Sequence, residues 1–236
     1  MVSVTDHGIR YTYDVYRDIL DDLVDCGYEF VGYGDPMSDS SILLRHDVDL
    51  SPERALEMAE IESEYGIEST YFFLLGSPLY NLQFGENVDI LREIREMGHR
   101  IGLHFGTHKY WQTEPDEESL VEEIRRELTI LRNIVQPVST VISFHIPPEW
   151  VLGREFGPFR HVYEPAYFEE IAYVADSSQR WRSEPPFPEG IPNRCQLLTH
   201  PSLWAESDAT FEERLAETRD SQFDRIRTYI DEQFVE

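Results

Sequence analysis

Seven short runs rich in β-branched and aromatic residues, at 29–33, 42–49, 69–75, 100–105, 140–146, 171–176 and 195–200, read as strands. Helical segments lie between several of them, and this alternation leaves few folds open. Ser51-Pro52-Glu53 offers an N-cap followed by proline at the first helical position, opening a helix that runs toward Tyr65-Gly66. The stretch 116–135 places Leu120, Ile124, Leu128 and Leu131 on one face and Glu and Arg on the other. Thr210-Phe211-Glu212-Glu213 is a capping box that starts a last helix. The segments 150–166 and 183–193, rich in Pro and Gly, read as loops. Strands alternating with helices imply an α/β fold, a parallel sheet covered by helices, either open or closed as a barrel. In such folds the working residues gather at the C-terminal ends of the strands.

The chain's 236 residues suit one domain, 1–236, with 1–40 as an N-terminal extension packed on the main body. Hydrophobic residues make up 41%, enough to exclude a disordered chain in spite of 28% charged residues. No apolar run approaches the roughly 20 residues of a membrane span. The first residues show neither a basic nor an apolar signal region, so the expected compartment is the cytoplasm. Cys26 and Cys195 lie far apart, which excludes a disulfide framework and a cysteine zinc site. With 46 acidic and 20 basic side chains the net charge is −26, which repels nucleic-acid phosphates and anionic lipids. Lys109 is the sole lysine, and this composition points to a protein adapted to high salt, where a short Debye length screens self-repulsion.

The strand-end rule can be applied to the polar residues. The run Ile42-Leu43-Leu44-Arg45-His46-Asp47-Val48-Asp49 ends in two acids on one face, with Arg45 one step earlier on the same side. Two buried carboxylates are costly unless a cation or a catalytic task holds them. The run ending Leu103-His104 is followed by His108, and two histidines four apart on a helical turn can share a metal. With a strand-end carboxylate they compose a possible metal triad with an open position. Phe144-His145-Ile146-Pro147-Pro148, Asp176-Ser177 and Leu198-Thr199-His200-Pro201 mark three further strand ends. Trp111, Trp150, Trp181 and Trp204 each fall a few residues beyond such a motif, where aromatic platforms would suit sugar rings and core packing is the competing account.

This order of motifs resembles the NodB-homology polysaccharide deacetylases (carbohydrate esterase family 4-like), over most of the chain from Ile42 to Trp204. His46-Asp47-Val48-Asp49 resembles a divergent form of their first motif, Leu103-His104 through His108 the second, and Leu198-Thr199-His200 the last. The resemblance implies a distorted (β/α) barrel of about seven parallel strands and metal-dependent removal of N-acetyl groups from aminosugars. It assigns Asp49, His104 and His108 to the metal, Asp47 to the general base, His200 to the general acid, and Asp176 to tuning His200. Zinc is the expected metal, and iron, cobalt or nickel would accept the same ligands. Trp111, Trp150, Trp181, Arg182 and Trp204 are the expected carbohydrate-binding residues. One position departs from the family pattern: Ile146 stands where an arginine usually pairs with the base. His145, Arg45 or Arg182 could replace that cation, Arg182 being expected first because it follows Trp181 on a rim loop. Alternative readings are an amide hydrolase acting on a non-sugar amide such as a cyclic ureide, and a catalytically silent carbohydrate-binding relative.

Overall fold

The computed structural model describes residues 8–235. Its strands are β1 (Glu29–Phe30), β2 (Ser41–Val48), β3 (Thr70–Leu74), β4 (Arg100–Phe105), β5 (Val141–Phe144), β6 (Arg160–His161), β7 (Ala172–Ala175) and β8 (Arg194–Thr199). Seven of them form a parallel sheet in the order β6-β5-β4-β3-β2-β8-β7, and the short β1 adds to β2. Parallel neighbours need crossovers, and the helices supply most of them. These are α1 (Tyr13–Asp25), α2 (Pro52–Glu64), α3 (Gly85–Glu96), α4 (Glu117–Ile134), the single-turn α5 (Pro165–Phe168) and α6 (Phe211–Phe234). The sheet curls into a half-barrel with helices outside, as expected from the alternation.

The helix signals act as physical chemistry requires. Ser51 Oγ accepts from the Arg54 amide, and Pro52 occupies the first turn of α2, where its missing N–H costs nothing. In α4, Leu120, Ile124, Leu128 and Leu131 are buried against the sheet. Both hydrogen bonds of the Thr210–Glu213 capping box are formed at the start of α6. The segment 150–166, expected as a loop, contains β6 and the proline that opens α5, because two-residue strands carry no readable period. Helix α1 buries Tyr16, Ile19, Leu20 and Leu23 against the outer face that also holds Ile42, Leu44 and Leu197. No helix among the described residues is long and apolar enough to cross a membrane.

Every residue of β2 is buried, as befits a strand covered on both faces. Strand parity therefore sends Arg45 and Asp47 into the barrel and His46 outward to the helices. Among the described residues no ladder joins β6 to β7. Side chains span that gap instead. The Gln196 amide of β8 donates to Val162 O at 3.1 Å and Tyr167 O at 2.9 Å. Arg45 donates to Tyr163 Oη at 3.0 Å, beyond β6, and to Tyr173 Oη at 3.4 Å, on β7.

Candidate active site

Three ligand atoms from three strand ends converge. Asp49 Oδ1, just past β2, lies 3.1 Å from His104 Nε2 on β4 and 2.9 Å from His145 Nδ1, just past β5. The two imidazole nitrogens are 3.1 Å apart. Ligands on a tetrahedral ion with bonds of 2.0–2.1 Å stand about 3.3 Å from one another, so this spacing fits a metal. Asp49 Oδ1 is also buried with no well-aligned hydrogen-bond donor, which leaves its lone pairs for a cation. Burial alone would raise the Asp49 carboxyl, but the adjacent His104 and His145 imidazoles and the charge of His200 hold it well below the usual carboxylate range. One carboxylate and two imidazoles form a donor set suited to zinc and accepted by other divalent transition metals.

His145 takes the place that the sequence spacing suggested for His108. After β4 the chain makes one short 3₁₀ turn, Thr107–Lys109, rather than an α-helix. Residues four apart stack on one face of an α-helix but not on a tighter 3₁₀ turn. His108 is accordingly exposed, its ring centroid 5.4 Å from that of His145. The signal for His145 was present in the sequence as a polar residue at the end of a strand, beside a double proline.

Asp47 is fixed from two sides. Arg45 Nη1 donates to its Oδ1 at 3.2 Å, and Ser143 Oγ donates to its Oδ2 at 3.2 Å. Arg45 is wholly buried, and the same Nη1 donates to Ser143 Oγ at 2.6 Å, so guanidinium, hydroxyl and carboxylate form a closed triangle. The cation beside Asp47 is thus Arg45, not the expected Arg182. Two residues of strand bring Arg45 to the same face as Asp47, and its long side chain turns toward the carboxylate. Arg182 is spent elsewhere: it grips Asp208 at 2.7 and 3.0 Å, takes Ala209 O at 2.5 Å and lies over the Tyr11 ring. Its guanidinium ties the loop after β7 to the segment before α6.

Asp176 and His200 meet at the ends of β7 and β8. Asp176 Oδ1 lies 2.6 Å from His200 Nδ1, and both carboxylate oxygens accept from the His200 backbone N–H at 3.1 Å. Burial alone would lower the His200 pKa, but the adjacent Asp176 carboxylate outweighs it and, with Asp49 and Asp47, raises it to about 9. His200 Nε2 is left facing Asp49 Oδ2 at 4.0 Å. Trp204 completes the support, donating its indole N–H to Asp176 Oδ2 at 2.8 Å.

The tryptophans do not form a sugar platform. Trp204 is wholly buried between Tyr11 and Tyr16, and Trp181 packs edge-on against it. Trp111 and Trp150 are half-buried beside Phe105 and Phe156. None of the four, nor Arg182, lines the cavity over the site. A large aromatic surface beyond a strand end gains more from packing under the loops than from water.

That cavity has a volume of about 440 Å³, within the range of small-molecule sites. Asp47, Asp49, His104, His145 and His200 form its polar floor, with Ser177 and Ser178 at one side. Ile146 stands at its edge with φ of 46° and 73% of its surface exposed. A β-branched side chain in left-handed backbone is a genuine outlier, with a cost on the order of 1–3 kcal/mol.

Residues 35–148, the stretch that carries the two acids, both strand-end histidines and the double proline, match the family model for polysaccharide deacetylase. Solved structures similar to this chain include the chitin deacetylase of the fungal pathogen Colletotrichum lindemuthianum, at 16% identity over 77% of this chain and 81% of that one, with a TM-score of 0.47. A family 4 carbohydrate esterase from Bacillus anthracis is similar at 19% identity over 94% and 92% of the two chains, with a TM-score of 0.46. A family 4 pseudoenzyme from the same organism is similar at 14% identity over 86% and 66%, with a TM-score of 0.47. No curated protein sequence matches significantly. The family match falls on the strands that deliver Asp47, Asp49, His104 and His145, and over residues 35–148 the chain is similar to the polysaccharide deacetylases.

Proposed function

We propose that this protein is a metal-dependent hydrolase that removes the N-acetyl group from an aminosugar substrate. The observation that carries the reading is the convergence of Asp49, His104 and His145 beside two separately supported proton-transfer groups, Asp47 and His200. Asp49, His104 and His145 would hold a divalent ion, zinc by preference. When bound, it supplies Lewis acidity for the amide carbonyl and a fixed place for the attacking water. Asp47 takes a proton from that water as it adds to the carbonyl carbon. Arg45 and Ser143 keep the Asp47 carboxylate oriented for this step. His200, with its pKa raised to about 9, carries a proton at neutral pH and delivers it to the departing nitrogen. Asp176 and Trp204 hold the imidazole so that Nε2 faces the cavity. The arginine absent at Ile146 is replaced from another strand by Arg45, which removes the main sequence argument for a silent relative.

The test is acetate release from N-acetylated aminosugars by the metal-loaded protein, with Asp47→Asn and His200→Ala alongside. Each variant should lose about 10²- to 10⁴-fold in rate, the usual worth of a positioned acid or base. Their combined loss should be less than additive, because both serve one proton-transfer sequence. Absence of acetate release by the wild type, together with hydrolysis of cyclic ureides, would move the reading to the non-sugar amide hydrolase.

A further inference from the structure

We propose that the mouth of this site binds an apolar group carried by the substrate, so that the preferred substrate is an N-acetylated aminosugar with an alkyl or aryl aglycone. The inference rests on the deacetylase reading and narrows it to a substrate class. Leu50, Ile146, Pro147, Leu203, Phe211 and Leu215 line the cavity above the polar floor. They come from four separate segments: the ends of β2, β5 and β8, and the first turns of α6. In a chain with 28% charged residues, no lysine or arginine among the described residues lines this cavity. Above the floor, a phosphate- or diphosphate-linked sugar would find no lysine or arginine among the described residues to pair with, and it would meet a molecule of net charge −26.

Two rim residues are apolar where solvent exposure disfavours it. Leu215 is 40% exposed and sits one helical turn from Phe211. Ile146 is 73% exposed and is held in left-handed backbone, which asparagine or glycine would occupy with less strain. An isoleucine there worsens both solvation and backbone strain in the free protein, and an apolar ligand over the site offsets the first. No tryptophan platform stands on the same rim, since all four tryptophans lie outside the cavity lining.

The experiment compares methyl and octyl β-glycosides of N-acetylglucosamine, the octyl form kept below its critical micelle concentration. Binding is followed by calorimetry and acetate release by a coupled assay, for the wild type, Leu215→Glu and Ile146→Asn. Burial of only two methylenes corresponds to about tenfold in affinity. The wild type should therefore prefer the octyl glycoside by about tenfold or more in Kd, and both variants should bring the ratio close to one. Ile146→Asn should also melt no lower than the wild type, because it relieves the left-handed isoleucine, so a lost preference there cannot come from misfolding. Octyl-selective binding without acetate release would keep this subsite and overturn the deacetylase reading. Acetate release with equal affinity for both glycosides would keep the deacetylase reading and overturn the subsite. A preference for the octyl glycoside that survives in both variants would also overturn it, by placing the alkyl chain elsewhere.

Discussion

At the scale of residues, the site turns on which imidazoles share a centre with Asp49. His104 and His145 present nitrogens at 3.1 and 2.9 Å from its Oδ1, whereas His108 is exposed on the neighbouring turn. Metal content measured by elemental analysis should therefore fall sharply in Asp49→Asn, His104→Ala and His145→Ala. His108→Ala should keep at least half of the wild-type metal. Asp47→Asn should also keep it, because Asp47 is held by Arg45 and Ser143 rather than by the three converging atoms. Loss of metal in His108→Ala with retention in His145→Ala would restore the HxxxH pair and overturn the assignment drawn from the geometry.

At the scale of elements, helix α2 is fastened to the sheet by one buried carboxylate. Glu62 accepts from Ser69 Oγ at 2.6 Å and Tyr71 Oη at 3.0 Å, and Tyr16 of α1 also donates to it. His46 Nε2 lies 2.8 Å from Glu62 Oε1, and the other ring nitrogen, 2.7 Å from Thr199 Oγ1, reaches the strand that ends in His200. Burial alone would raise the Glu62 pKa, but the charge and hydrogen bond of His46, with His99 and Ser69, bring it down to about 2. His99, beside it, is pushed down chiefly by burial, against the attraction of Glu62. A depressed carboxyl pKa stabilises the fold above its unfolded value near 4.5, and that contribution is lost as pH falls through about 2. A depressed histidine adds loss in the same direction, because the unfolded chain takes up a proton below about 6.5 that the fold resists. Glu62→Gln should thus destabilise the protein by on the order of 3 kcal/mol at pH 7, a deficit that shrinks as pH approaches 2. Urea unfolding of both proteins at pH 7, 5 and 3 measures this, and a pH-independent deficit would contradict it.

At the scale of the whole molecule, charge dominates. A net charge of −26 with one lysine leaves surface carboxylates repelling one another in dilute buffer. Lys109 itself is committed to Glu127 at 2.8 Å. In about 1 M salt the Debye length falls to roughly 3 Å, which removes most of that repulsion. The melting temperature should rise by several degrees between dilute buffer and molar KCl. Equal melting temperatures in the two would remove the salt-adaptation reading.

The sequence by itself determined the class of fold and the faces of individual strands. Period and capping signals are local, so the alternation and the boundaries of α2, α4 and α6 could be read without neighbours. Parity alone put Arg45 and Asp47 on one face of β2. The tertiary structure decided which side chains meet. His145 joins Asp49 because β5 lies next to β4 in the curled sheet, 96 residues along the chain from Asp49. Arg45 rather than Arg182 serves Asp47 because the open side of the half-barrel draws the guanidinium in to bridge Tyr163 and Tyr173. Trp181 and Trp204 went to the core because the segments that carry them fold back over α1 and the sheet, where buried aromatic area outweighs exposure at a rim. Spacing along a chain measures reach only within one element. Convergence between elements depends on sheet order and curvature, which long-range packing sets.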